Sequence, residues 1–210
     1  MSTSFNGITP FYDALAFVVF GRTLQRAQLV WLDQIPADAS VLIVGGGTGW
    51  LLEQVLKQCQ PKRVVYLEAA QKMAARASQR MIRRAVPGKV DFRVGDETTL
   101  SPEERFDVIM TPFVLDLFAE ETLRSQVIPR LRNALEPSGL WLVTDFVSTS
   151  LWWQKILLWS MIRFFRLTTS IEATHLADWQ RILTDAGLLC QKQAYRARKM
   201  VLTGVWTINF

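Results

Sequence analysis

Gly45, Gly47 and Gly49 stand at alternate positions in VLIVGGGTGW, with Gly46 and Thr48 between them. A backbone without Cβ atoms lets a ligand approach closely and takes up positive φ without strain. The apolar run Val41 to Val44 leads in as a short buried strand. Leu51, Leu52, Val55 and Leu56 lead out at helical spacing. The loop therefore joins a strand to a helix whose first N–H groups have no intrahelical partner. Spacing separates the ligands such a loop can hold. The dinucleotide pattern G-x-G-x-x-G would need glycine where Trp50 stands, and the phosphate-cradling P-loop would need a lysine that is missing. The pattern G-x-G-x-G suits a ligand with no pyrophosphate, a nucleoside carrying an amino-acid tail.

Two acids fall where such a ligand needs acceptors. The strand RVVYLE ends in Glu68, nineteen positions past Gly49. Dinucleotide folds place a ribose-binding acid about 20 residues beyond their loop. Asp96, in VGDET after the third strand, could accept from an exocyclic adenine amine. Taken singly, each is equally well a solvated loop acid; together, at strand ends behind a glycine loop, they outline one nucleoside.

Candidates for proton transfer are few. His175 is the one histidine, in SIEATHLADW, with an ordinary pKa close to working pH. Glu172, three positions earlier, could orient it on a helical turn. Its structural alternative is a hydrogen-bonded histidine at a helix start. Asp145, ending the fifth strand, and Asp116, after the fourth, are lesser candidates for a base. The fourth-strand tail TPFV is not the N/D-P-P-Y signature that holds a planar amine.

The elements that must position these residues alternate. Strands are expected at Val41–Val44, Arg63–Leu67, Val90–Val94, Phe106–Met110 and Leu140–Phe146. Helices are expected at Gly49–Cys59, Ala69–Ala85 and Glu120–Leu135, the last stopped by Pro137-Ser138-Gly139. This implies a parallel sheet with helices on both faces. Helices over Leu151–Leu167 and Leu176–Ala186 follow. A closing antiparallel hairpin, Leu188–Ala197 and Met200–Ile208, turns at Arg198-Lys199. Phe11 to Gln34 suits one or two helices lying against this body.

Composition fits one folded domain: 210 residues, half hydrophobic, a fifth charged, formal charge +5. Cys59 and Cys190 form no CxxC pair, which argues against a disulfide framework and a zinc site, and no metal is expected. The N-terminal stretch lacks a signal peptide's charged n-region and cleavage site, so a cytoplasmic location is expected, with peripheral membrane contact open. Basic residues gather at Arg76, Arg80, Arg83, Arg84 and Lys89, and at Arg196, Arg198 and Lys199. Solvated faces account for them, with a nucleic-acid or lipid-headgroup patch as the alternative.

LWWQKILLWSMIRFFRL (151–167) combines Trp152, Trp153, Trp159, Phe164 and Phe165 with Lys155, Arg163 and Arg166. Its length and charge make it a poor membrane span. It could pack one broad face on the sheet, roof an apolar substrate pocket, or rest on a membrane surface or dimer partner.

These motifs together resemble the class I S-adenosylmethionine-dependent methyltransferases. VLIVGGGTG is similar to that family's first motif, Glu68 to its ribose acid and GDET to its adenine-side motif. FDVIM and GLWLVTDF look like its fourth and fifth strands. FYDALAFVVFG looks like the N-terminal helices of the ubiquinone/menaquinone-biosynthesis type. The resemblance implies a Rossmann-like α/β three-layer sandwich, its seven-stranded sheet mostly parallel with an antiparallel last strand. It implies one methyltransferase domain over 1–210: a helical lid at 1–40, a cofactor-binding core at 41–146, a helical cap at 147–187 and closing strands at 188–210. S-adenosylmethionine would be held by Tyr12, Gly45, Gly46, Gly47, Thr48, Gly49, Glu68, Asp96, Glu97 and Thr111. The acceptor would be a small aromatic or lipophilic molecule methylated at oxygen or carbon, not a nucleic acid. The chain departs from the family at Ile43, where an acid is usual. The triple glycine behind an apolar residue also resembles the aminopropyltransferases, though Asp116 is the one acid where those show several. A non-catalytic adenosyl-binding protein is the third reading.

Overall fold

The structure, a computed structural model, describes residues 22–169 and 175–209. It opens on the short helix α1 (Thr23–Gln28) and a single 3-10 turn at Leu32–Gln34. Five strands follow, β1 (Ser40–Val44), β2 (Arg63–Glu68), β3 (Val90–Val94), β4 (Phe106–Pro112) and β5 (Leu135–Phe146). Between them run α2 (Trp50–Cys59), α3 (Gln71–Arg83) and a broken helix. The last is made of α4 (Glu120–Thr122), a π turn at Leu123–Val127 and α5 (Ile128–Ala134). Then come α6 (Trp152–Thr169), α7 (Trp179–Asp185), β6 (Leu188–Arg196) and β7 (Val201–Ile208).

The sheet has seven strands in the order β3-β2-β1-β4-β5-β7-β6. The first five pair in parallel, and β7 runs antiparallel to both β5 and β6. This is the Rossmann-like arrangement expected. Strand order reverses between β1 and β4, which opens a crevice at the carboxyl ends there.

Strict alternation along β1 divides the core in two. Val41 and Ile43 face the layer of α2 and α3, packing with Leu51, Leu52, Val55, Tyr66 and Ala77. Leu42 and Val44 face the layer of the broken helix and α7, packing with Leu123, Leu131, Trp141, Trp179 and Leu183. Period-two strands buried on both faces explain the near-continuous apolar runs in the sequence. Helix α3 turns Ala74, Ala77 and Met81 inward, while Glu53 of α2 is buried against Arg80 of α3 (2.7 Å) and Lys57 (2.6 Å). Hydrogen bonding to those two cations holds the Glu53 carboxyl below its usual range despite its burial.

Some boundaries differ from expectation. The helix expected at Leu176–Ala186 begins at Trp179, where the Asp178 side chain caps it by accepting from Arg181 N (3.2 Å). Strand β5 starts at Leu135, ahead of Pro137-Ser138-Gly139. Leu135 pairs with Phe106, and the register then shifts before Leu140 meets Val108. The proline and glycine lie in a bulged strand, a position that tolerates both. The hairpin turn spans three residues, Ala197, Arg198 and Lys199, all at positive φ.

Candidate active site

The glycine loop leaves the carboxyl end of β1 and is gripped from β2. Tyr66 and Glu68 are two residues apart and so share a face of the strand. The Tyr66 hydroxyl donates to the Gly47 carbonyl (2.8 Å), and Gly47 N–H donates to Glu68 Oε2 (2.9 Å). Glu68 Oε1 accepts from Ala70 N–H (2.9 Å). Burial raises the Glu68 pKa, and the backbone N–H groups of Ala70, Gly47 and Ala69 oppose that rise. The three backbone donors leave the carboxylate capacity for one further hydroxyl donor.

The glycines are needed for different reasons. A Cβ on Gly45 would stand 2.3 Å from Val114 Cγ2, one on Gly46 2.4 Å from the Tyr66 ring, and one on Gly49 2.8 Å from Ala77 Cβ. Those three are packed against protein. A Cβ on Gly47 would meet nothing within 4 Å, although Gly47 takes φ +63°. Gly47 alone faces open space, between the Tyr66 hydroxyl and the Glu68 carboxylate. That is the cradle a nucleoside with a tail requires, so the residues present fit the ligand the motif suggests.

The other expected cofactor residues fall in three places. Asp96 is exposed after β3 and caps a 3-10 turn, accepting from Thr98 N (2.9 Å) and Thr98 Oγ1 (2.5 Å). Glu97 is buried, and burial raises its pKa. Thr111 is fully buried, and its Oγ1 accepts from Trp141 Nε1 (3.0 Å), so its side chain offers a ligand no surface. Tyr12 and Glu172 lie outside the described residues.

Asp145 is also fully buried. Its Oδ2 accepts from the backbone N–H of Val114 (3.1 Å) and Leu115 (2.8 Å), and its Oδ1 from Phe146 N–H (2.7 Å). These bonds fix the loop after β4, and through it Val114 against Gly45. The side chain is a brace between β5 and that loop, with no surface for an acceptor. Asp116 lies beside it with Oδ1 shielded from solvent. Burial raises the Asp116 pKa to about 6, and burial together with the Asp116 charge raises Asp145 well above the usual carboxylate range. His175 is exposed ahead of α7.

Sequence reasoning missed Tyr66 and Val114. The signal for Tyr66 was present, since it precedes Glu68 by two on a strand; Val114 carried none. Also missed was a cleft of about 500 Å³ beside the loop, lined by Arg22, Gln25, Arg26, Leu29 and Trp50. No group of three or more metal-ligating side chains occurs among the described residues.

Residues 41–139 match the model of a methyltransferase-domain family. No curated protein sequence matches the chain. Among solved structures, the chain is similar to a mitomycin 7-O-methyltransferase (18% identity, TM-score 0.69). That match covers 96% of this chain and 59% of the other, so this chain spans less than two thirds of that enzyme. It is also similar to the Burkholderia thailandensis 1,6-didemethyltoxoflavin-N1-methyltransferase (14% identity, TM-score 0.69, 97% and 85% covered). A SAM-dependent methyltransferase from Aquifex aeolicus aligns at 15% identity and TM-score 0.64, with 94% and 97% covered. At these identities the solved structures speak to fold.

Proposed function

We propose that this chain transfers a methyl group from S-adenosylmethionine to a small aromatic or lipophilic acceptor, at oxygen or carbon. One observation carries the cofactor half of this reading: Gly47 opens onto free space between a phenol and a buried carboxylate that both bind its own peptide groups. In this reading Glu68 accepts from the ribose hydroxyls, the loop 45–49 backs the cofactor, and Asp96 and Glu97 border the adenine. The cofactor, when bound, supplies an electrophilic methyl on a sulfonium. The protein's share is alignment and exclusion of water. Asp145 serves by bracing the loop after β4, and His175 is the candidate to take a proton from an acidic acceptor group.

The small-molecule acceptor is favoured by TPFV, which lacks the paired-proline amine clamp. It is also favoured by the two neighbours whose names specify small molecules, mitomycin and a toxoflavin precursor. The ubiquinone/menaquinone-type resemblance points the same way, toward a lipophilic ring.

Calorimetric titration tests the cofactor half. S-adenosylmethionine and its demethylated product should both bind, and Glu68→Ala should weaken binding tenfold or more (about 1.4 kcal/mol). Unchanged affinity would remove Glu68 from the site. A mass gain of an aminopropyl unit from the decarboxylated cofactor would replace methyl transfer with the aminopropyltransferase reading.

A further inference from the structure

Three elements meet at the edge of the molecule beyond the carboxyl end of β5. Leu24 and Ala27 of α1, Leu158 of α6, Phe146, and Met200 and Val201 at the hairpin form one small apolar core. That core fixes which way α6 faces. Gln154 is buried, its Nε2 donating to the Arg198 carbonyl (3.1 Å) across to the hairpin tip. The Arg198 guanidinium lies 5.7 Å from the centre of the Trp153 ring.

With that side held inward, the opposite side of α6 is left out. Trp152 is 73% exposed, Ile156 56% and Trp159 58%. At spacings of four and three residues they form one apolar stripe. Lys155 flanks the stripe on α6, and the exposed Arg196, Arg198 and Lys199 stand on the hairpin, whose Arg198 reaches the ring of Trp153 next to Trp152. No acid interrupts α1, residues 151–160 or the hairpin tip at 195–200.

We propose that this face docks on the surface of an anionic lipid bilayer. Tryptophan suits the headgroup level, where its ring is buried and its N–H stays wet. An apolar stripe flanked by cations is the signature of a helix lying in an interface. Each cation near an anionic leaflet contributes about 1 kcal/mol. A nucleic acid would use the cations and leave the stripe in water, and a bilayer uses both. No described helix is long and apolar enough to cross a membrane, which fits surface docking. The face lies beyond the carboxyl end of β5, at the end of the sheet where the crevice between β1 and β4 opens. Delivery of a lipophilic acceptor rests on the proposed function; the docking does not.

The test is sedimentation of the full chain with phosphatidylcholine vesicles, with and without added phosphatidylglycerol. Binding is expected to the anionic vesicles alone, and to fall steeply at about 0.5 M salt, where the Debye length drops toward a few ångströms. Arg196→Glu and Lys199→Glu should each weaken partitioning about fivefold or more, the fold-change equal to about 1 kcal/mol. Trp152→Ala with Trp159→Ala should weaken it further. All are surface positions, so S-adenosylmethionine affinity should be unchanged, which separates failure here from failure of the cofactor reading. Three results overturn the proposal: no sedimentation with anionic vesicles, binding that ignores these substitutions, or a dimer in sedimentation velocity that the tryptophan substitutions dissociate.

Discussion

Tyr66 and Glu68 hold the two sides of the same glycine: the phenol donates to the Gly47 carbonyl at 2.8 Å while the carboxylate accepts from Gly47 N–H at 2.9 Å. The strand beside the loop thus sets the loop's conformation before any ligand arrives. Such preorganisation lowers the ordering cost of binding. Tyr66→Phe keeps the ring and deletes one hydrogen bond, a change of about 1 kcal/mol. We expect roughly fivefold weaker S-adenosylmethionine binding with little change in melting temperature. Equal affinity in both proteins, by calorimetry, would show that the phenol does not govern the loop.

Gly45 and Gly47 should respond differently to the same methyl group. Gly45→Ala drives a Cβ to within 2.3 Å of Val114 at φ +68°. Strain and overpacking of this kind cost about 2 kcal/mol or more. Gly47→Ala meets only the conformational penalty of positive φ, about 1 kcal/mol. Its methyl enters the space assigned to the ligand. Thermal unfolding should therefore penalise Gly45→Ala more, and ligand titration should penalise Gly47→Ala more than its stability loss explains. The reverse ranking in titration would place the ligand elsewhere.

The sheet and the order of its elements were legible because both faces of every central strand are buried, which writes uninterrupted apolar runs into the sequence. The acid at the end of β2 was legible for the same reason: it breaks such a run at Glu68. Thr111 and Asp145 misled because strand-end position says nothing about which face a side chain takes. Thr111 turns to Trp141 within the core, and Asp145 turns to the backbone N–H groups of the loop after β4. The contact of Val114 with Gly45 joins residues far apart in the chain, and no local pattern encodes it.

The carboxyl pair makes stability depend on pH in an unusual direction. Asp116 has its pKa raised from 3.8 to about 6 by burial. Between those values the folded protein keeps a proton that the unfolded chain has released. Stability from this group is therefore complete below pH 3.8 and is lost as pH rises through about 6. Asp145 is shifted the same way by burial and by Asp116. Asp116→Asn removes the buried charge that Asp116 carries once it ionises. It should stabilise the protein by about 1–2 kcal/mol at pH 7.5, a value discounted for the partial exposure of Asp116, with the gain vanishing near pH 4. Urea unfolding at the two pH values measures it. A difference between variant and parent that does not change with pH would mean that burial does not raise the Asp116 pKa.

Ile43 stands where the resembling family carries an acid, and the structure shows why a simple restoration should fail. The side chain is fully buried, in register with Tyr66 on β2 and Met110 on β4, in the layer of α2 and α3. Leu51, Leu52 and Val55 share that layer, and none of them can accept or donate a side-chain hydrogen bond. A carboxylate placed there gives up its hydration among mostly apolar side chains, with the neighbouring Tyr66 hydroxyl already donating to Gly47, at a cost of several kcal/mol. Ile43→Val removes one methylene and should cost about 0.5–1.5 kcal/mol. Ile43→Asp should lower the melting temperature far more and leave S-adenosylmethionine affinity no better in whatever fraction stays folded. A stable Ile43→Asp protein that binds the cofactor more tightly would show instead that this position faces the ligand, and that the amino-acid end of the cofactor is reached through β1.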